Sequence, residues 1–129
     1  MCPVYINRIA SIHAESRNEK PYFSAQEPDY KEMITNANLR RRMSRMIKMG
    51  VACGLECLKD ISPEKVDAII TATGLGCLAD TEKFMNALMD NREQMLNPTA
   101  FIQSTFNTVG AQIALLLKIH AYNVTYVHR

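Results

Sequence analysis

The sequence predicts an α/β domain, a mainly parallel sheet flanked by helices. Three observations carry this. Short β-branched runs alternate with longer stretches of helical periodicity, two glycines at Gly74 and Gly76 close one of the apolar runs, and residues 97–129 join a proline-started helix to a β-rich end. Strand, helix, strand, helices, strand is the order of two consecutive βαβ crossovers, so three parallel strands with right-handed connections are expected. At 129 residues, 47% of them hydrophobic, the chain is long enough to bury a core, and one domain over residues 1–129 is the default.

The first strand is expected at Val4–Ile12, VYINRIASI, where β-branched residues alternate imperfectly with polar ones. His13–Asn38 is polar and punctuated by Pro21 and Pro28, and reads as a long surface connection with one short helical turn at most. Leu39–Leu58 is the clearest helix. Met43, Met46, Ile47, Gly50, Val51, Gly54, Leu55 and Leu58 recur at three-and-four spacing and mark its buried face. Arg40, Arg41, Arg42, Arg45 and Lys48 crowd its first half, the unfavourable end for the helix dipole, which asks for acidic partners or a contact surface.

Val66–Thr73 follows the break at Asp60–Pro63 and reads as a parallel strand covered on both faces. Thr81–Asp90 places Phe84, Met85, Leu88 and Met89 on one face of a crossover helix, with Asp80 available as its cap. Asn97 before Pro98 opens the next helix, because proline's missing donor costs nothing at the first helical position. Phe106, Val109, Gly110, Ile113, Ala114 and Leu117 continue the apolar stripe, and Asn123–Val127 supplies the last strand.

A net charge of +2 is too mild to imply a polyanionic partner, so nucleic acid is not favoured. No apolar run approaches the roughly 20 residues needed to cross a bilayer, and the start lacks a basic region followed by an apolar one. The four cysteines, Cys2, Cys53, Cys57 and Cys77, form no CxxC pair and are too sparse for a disulfide scaffold, which suits a reducing compartment and a cytoplasmic location. Cys53 and Cys57 share a helix face but have no third or fourth metal ligand nearby, so small buried side chains are the simpler account. No cofactor or metal site is expected.

TATGLG lacks the GxGxxG spacing of a dinucleotide site, and no helix is expected directly after Gly76. Ligands of open α/β sheets nevertheless gather at the carboxyl ends of strands, which makes Thr73, Gly74 and Gly76 pocket-wall candidates. Arg40, Arg41, Arg42 and Arg45 are partner-binding candidates, for an acidic protein rather than nucleic acid, although a solvated helix start is the blander reading. Met43, Met46 and Met49 could line a groove, but core filling is the simpler role. His13, His120 and His128 are scattered and build no catalytic triad or metal cluster. Ser104 and Asn107 fall on one helical face; without a nearby base a serine is inert as a nucleophile, so turn and cap chemistry is their plain role.

RRMSRMIKMGVACGLECLKD, VDAIITATGLG, PTAFIQSTFNTVGAQIALLLKI and NVTYV, in that order over Leu39–Arg129, resemble the N-terminal half of β-ketoacyl synthases, the condensing enzymes of fatty-acid and polyketide assembly. Pro98, Phe101, Ser104, Asn107 and Gly110 stand where that family has its PxxF and SxxN residues, which adds Ser104 and Asn107 to the substrate-pocket candidates. Within the family the RRMSR helix looks most like synthases of aryl-polyene or flexirubin-type pigment clusters.

The resemblance implies a thiolase-like N-terminal half, an acyl carrier protein as partner, and a homodimer or a heterodimer with a ketosynthase. It also implies a cysteine nucleophile at or just beyond the last residue and two histidines in a second half, so no catalytic residue is expected among the residues present. Two accounts follow, a portion of a condensing enzyme or a non-catalytic relative comparable to a chain-length factor; a small α/β interaction module using its basic helix is a third reading. Three strands with flanking helices would leave a sheet edge uncovered, which itself favours assembly.

Overall fold

A computed structural model describes residues 3–14 and 25–128. Cys2, Pro21 and Arg129 lie outside the described residues. Val4–Ile12 forms no strand, and Val4 and Ile6 are 95% and 80% exposed. This corrects the expected first strand. Arg8 instead holds the segment to the outside of the molecule, donating to the Glu56 carbonyl at 3.0 Å and to Asp60 at 2.6 Å. The nearest ladder contact is a single antiparallel bridge between Ala14 and Ala25.

The described part of the connection contains two helices rather than one turn: α1 (Tyr30–Met33) and α2 (Ala37–Arg42). Asp29 caps the first by accepting from the Lys31 amide at 2.8 Å, and Asn36 caps the second by accepting from Asn38 and Leu39. The single long helix expected at Leu39–Leu58 is therefore divided, and α3 runs Arg45–Leu58. Met43 and Ser44 are both extended between the two helices, and that kink turns Met43 into the core beside Ile47. Periodicity cannot register so short a break, since Met43 and Ile47 keep their spacing across it. The break also reverses the dipole argument: Arg40, Arg41 and Arg42 now occupy the last turn of α2, where positive charge is favourable.

A 3-10 turn at Pro63–Lys65 leads into β1 (Ala68–Thr73). Only one face of this strand is covered, with Ile69 8% and Ile70 65% exposed, contrary to the expected two-sided burial. Helix α4 (Leu78–Asp90) begins two residues after Gly76, with only Cys77 between them at its cap position, so a helix does follow the glycine turn directly. Asp80 lies inside the first turn and is buried rather than capping it. Asn97 caps α5 (Pro98–Ser104) through the Thr99 amide, 2.9 Å away.

The chain then bends by 109° into α6 (Thr108–Leu117), which takes Phe106 out of the helical stripe. Lys118 ends α6 in the left-handed conformation and the chain enters β2 (Tyr122–Val127). β1 and β2 pair in parallel, from Ala68 opposite Tyr122 to Thr73 opposite Val127. Among the described residues the sheet thus has two strands, one βαβ crossover rather than two.

Helix α6 lies against both strands. A Cβ on Gly110 would come within 2.8 Å of Asn123 Oδ1, so only glycine lets helix and strand approach this closely. Helix α3 packs on α6 in turn, with Gly50 against Val109 and Gly54 against Ile113. The core gathers Ile34, Met43, Ile47, Val51, Ile69 and Ile113 from five different elements or their flanks. Met46 is 55% exposed, so of the methionine trio only Met43 is a core residue.

Candidate functional site

The carboxyl ends of the two parallel strands meet a glycine turn and the start of α4. Thr73 ends β1, and its Oγ1 accepts from the Gly76 amide at 2.9 Å, which folds the TGLG turn back on the strand. Gly76 has φ +61, the left-handed region, and a Cβ there would lie 2.5 Å from Phe106 Cδ1. Beyond β2, the His128 amide donates to the Thr73 carbonyl at 3.1 Å and ties the two strand ends together. Deeper in the sheet, the Thr71 and Thr125 hydroxyls bond across the ladder at 2.6 Å.

Behind this end lies an apolar cavity of about 550 Å³, within the usual range for a small-molecule site. The whole of β1 borders it, with Gly50 and Gly54 of α3, Cys77, Phe106 and Ile113 among the other walls. Its lining is carbon-rich, which suits an aliphatic occupant and offers few hydrogen bonds to a polar one.

Thr73, Gly74 and Gly76 are therefore brought together as expected. Ser104 is not among the cavity walls: its carbonyl accepts from Thr81 Oγ1 at 3.2 Å, and its hydroxyl donates to the Phe101 carbonyl at 2.7 Å. Asn107 is exposed before α6 and makes no capping bond with its side chain. The two do not share a helix, because α5 ends at Ser104 and the chain turns sharply before α6. Cys77 and Phe106, read from the sequence only as a free cysteine and as part of an apolar helical stripe, were not among the site candidates. A cysteine directly after a glycine turn at a strand end was the available signal for the first, and nothing local marked the second.

Burial pushes the Cys77 thiol up, and the Asp80 carboxylate adds to the effect. Cys53 is pushed up by burial and then by Cys57, against a backbone hydrogen bond from Ile12 that works the other way. Cys53 and Cys57 are half-buried on α3, less enclosed than the small core side chains expected. Among the described residues no group of three His, Cys, Asp or Glu side chains lies close enough to hold a metal.

The arginines are largely engaged within the chain. Arg40 donates to the Ile34 carbonyl, Arg41 to Asn38 Oδ1 at 2.6 Å, and Arg45 to Glu27 Oε1 at 2.5 Å. Glu27 also accepts from the Tyr30 hydroxyl at 2.6 Å; that bond and then Arg45 hold its carboxyl below the usual range. Tyr30 is shifted up, chiefly by burial and then by Glu27. Arg42 is exposed.

A parallel pair of strands with helices packed on it, and an apolar cavity along β1, define an α/β protein. Residues 13–125 match the family described as beta-ketoacyl synthase, N-terminal domain, and the chain belongs to that family. Its fold is similar to a chain of a solved structure described as a ketosynthase (ApeO) in complex with its chain length factor (ApeC) from Xenorhabdus doucetiae. The TM-score is 0.63 at 22% identity, over 82% of this chain and 41% of that one. That likeness shows a thiolase-like fold, of which this chain spans less than half. No curated protein matches the sequence. No single helix among the described residues is long and apolar enough to cross a membrane.

Proposed function

We propose that this chain forms the N-terminal portion of a condensing enzyme of fatty-acid or polyketide assembly, of the aryl-polyene or flexirubin type, and that it has no condensing activity of its own. The observation that supports this best is the apolar cavity set behind the Thr73–Gly76 turn, in a chain of the β-ketoacyl synthase family. Such a cavity suits an acyl chain, delivered by an acyl carrier protein in the cytoplasm. Arg42, beside Arg40 and Arg41, is the proposed contact for that acidic carrier.

Condensation through a thioester needs an activated thiolate with proton-handling groups beside it. Cys53 and Cys77 are both shifted away from the thiolate. Purified chain incubated with acyl- and malonyl-loaded carrier proteins is expected to give no 3-ketoacyl product, and turnover above background would falsify the reading.

A second reading, a partner subunit that pairs with an active synthase, is favoured by the apolar side chains left uncovered on the later elements. Phe101, Leu115, Tyr122 and Tyr126 are each more than half exposed. Light scattering is expected to show a homodimer, or an intact ketosynthase, co-expressed, to purify with the chain; a stable monomer at micromolar concentration that retains no ketosynthase counts against both schemes.

A further inference from the structure

Cys53 and Cys57 take no part in the proposed condensing role. They stand one turn apart on α3, and both are half-buried. Together they mark the seam between two cavities: Cys53 borders a polar one of about 420 Å³, and Cys57 borders the apolar one beside β1. Each therefore lies next to open space rather than in packed core.

The spacing decides what such a pair can hold. Residues four apart on a helix keep their Cβ atoms about 5–6 Å from each other, whereas a disulfide needs about 3.5–4.5 Å, so this pair does not close to an unstrained S–S bond. An ion between the sulfurs reaches further: two metal–sulfur bonds of about 2.3 Å span up to about 4.6 Å, against about 2 Å for S–S. The two thiols do sense each other, since after burial the charge on Cys57 is the next cause that pushes Cys53 up.

The ligand count selects the ion. Structural zinc takes four ligands, and among the described residues no third His, Cys, Asp or Glu joins the pair. Soft sulfur ligands favour copper(I), which is satisfied by two or three donors. Met33 borders the same cavity as Cys53 and adds a soft thioether to the surroundings, while Glu27, a hard oxygen ligand there, is already engaged by Tyr30 and Arg45.

We propose that Cys53 and Cys57 form a two-thiolate site for copper(I) on α3. On binding, both thiols release their protons and two Cu–S bonds form; no electron moves, and coordination itself keeps the sulfurs ionised. The inference rests on the helix spacing and stands apart from the proposed condensing role.

Anaerobic titration of the full chain with copper(I) buffered by bicinchoninate tests it. The chain is expected to withdraw one copper from the coloured complex. Cys53→Ser and Cys57→Ser should each weaken uptake by about a hundredfold or more, since even the outer partners of metal ligands are worth roughly 10–100-fold, while Cys77→Ala should leave it unchanged. No withdrawal by the wild type, or withdrawal that survives the double Cys53→Ser, Cys57→Ser change, overturns the proposal. One copper per two chains overturns it as well, because the thiolates would then come from different molecules. Should the serine variants unfold, phenylarsine oxide on the wild type decides. It condenses with two adjacent thiols, forming two As–S bonds and releasing its oxygen as water with the two thiol protons. Peptide mapping is expected to find the adduct bridging Cys53 and Cys57, and an adduct elsewhere or none removes the site.

Discussion

Replacing Gly76 by alanine should destabilise the chain measurably, whereas the same change at Gly74 should not. Gly76 holds φ +61, a conformation that costs an L-residue about 1–2 kcal/mol. Its new Cβ would also lie 2.5 and 2.9 Å from the Phe106 Cδ1 and Cε1 atoms, so a rigid ring must shift and lose some packing, on the order of 1 kcal/mol. Against this, alanine restricts the unfolded chain and returns about 0.4–1 kcal/mol. The net loss is about 2 kcal/mol, or roughly 6–8 °C in Tm for a chain of this size. At Gly74 a Cβ meets only the His128 carbonyl oxygen at 3.5 Å, an ordinary contact, and the change should fall within about 0.5–1 kcal/mol of neutral. Urea unfolding followed by circular dichroism, with equal slopes, gives both values. Adding Phe106→Leu to Gly76→Ala should recover the steric share and leave the backbone share. A Gly76→Ala chain as stable as Gly74→Ala would refute the turn geometry and its contact with Phe106.

Ile47, 1% exposed within the core, should cost about 2–5 kcal/mol when cut to alanine, against a far smaller loss for the exposed Met46→Ala, both read by the same unfolding assay. Glu27 should titrate below its ordinary value of 4.5 in carbon-detected NMR, and Tyr30→Phe should raise its midpoint by removing the largest cause of the shift. Since the folded value is depressed, the stability from this cluster is present above pH 4.5 and is lost as pH falls through the folded midpoint; an unchanged midpoint in Tyr30→Phe would remove that account. Cys77, buried and with its thiol pushed up, should be alkylated by iodoacetamide more slowly than the half-buried Cys53 at neutral pH, and mass spectrometry of a time course would expose the reverse order.

The body of α4, the Asn97–Pro98 opening of α5 and the last strand could be read directly, since these are local signals that the structure keeps, whereas the start of α4 at Leu78, directly after the glycine turn, was missed. The break at Met43–Ser44 could not, because both halves share one apolar stripe and the two extended residues leave its spacing intact. The same limit applied to the site. Thr73, Gly74 and Gly76 are neighbours in sequence and were found together, but the ring of Phe106 reaches Gly76 only because α5 and α6 bend by 109° around it. Ser104 and Asn107 were placed on one face by assuming a continuous helix, and the bend separates their roles.

The order of β-branched runs and helical stripes, read with the family's motif residues, was enough to establish an α/β chain with a parallel β1–β2 pair and its lineage, because those features follow from side-chain period and from residues adjacent along the chain. Tertiary contact alone decided that Val4–Ile12 lies outside the sheet, that the arginines are folded onto Ile34, Asn38 and Glu27, and that an apolar cavity opens beside β1. Each of these depends on which surfaces meet across dozens of residues, and a β-prone segment has the same pattern whether or not an edge is within its reach.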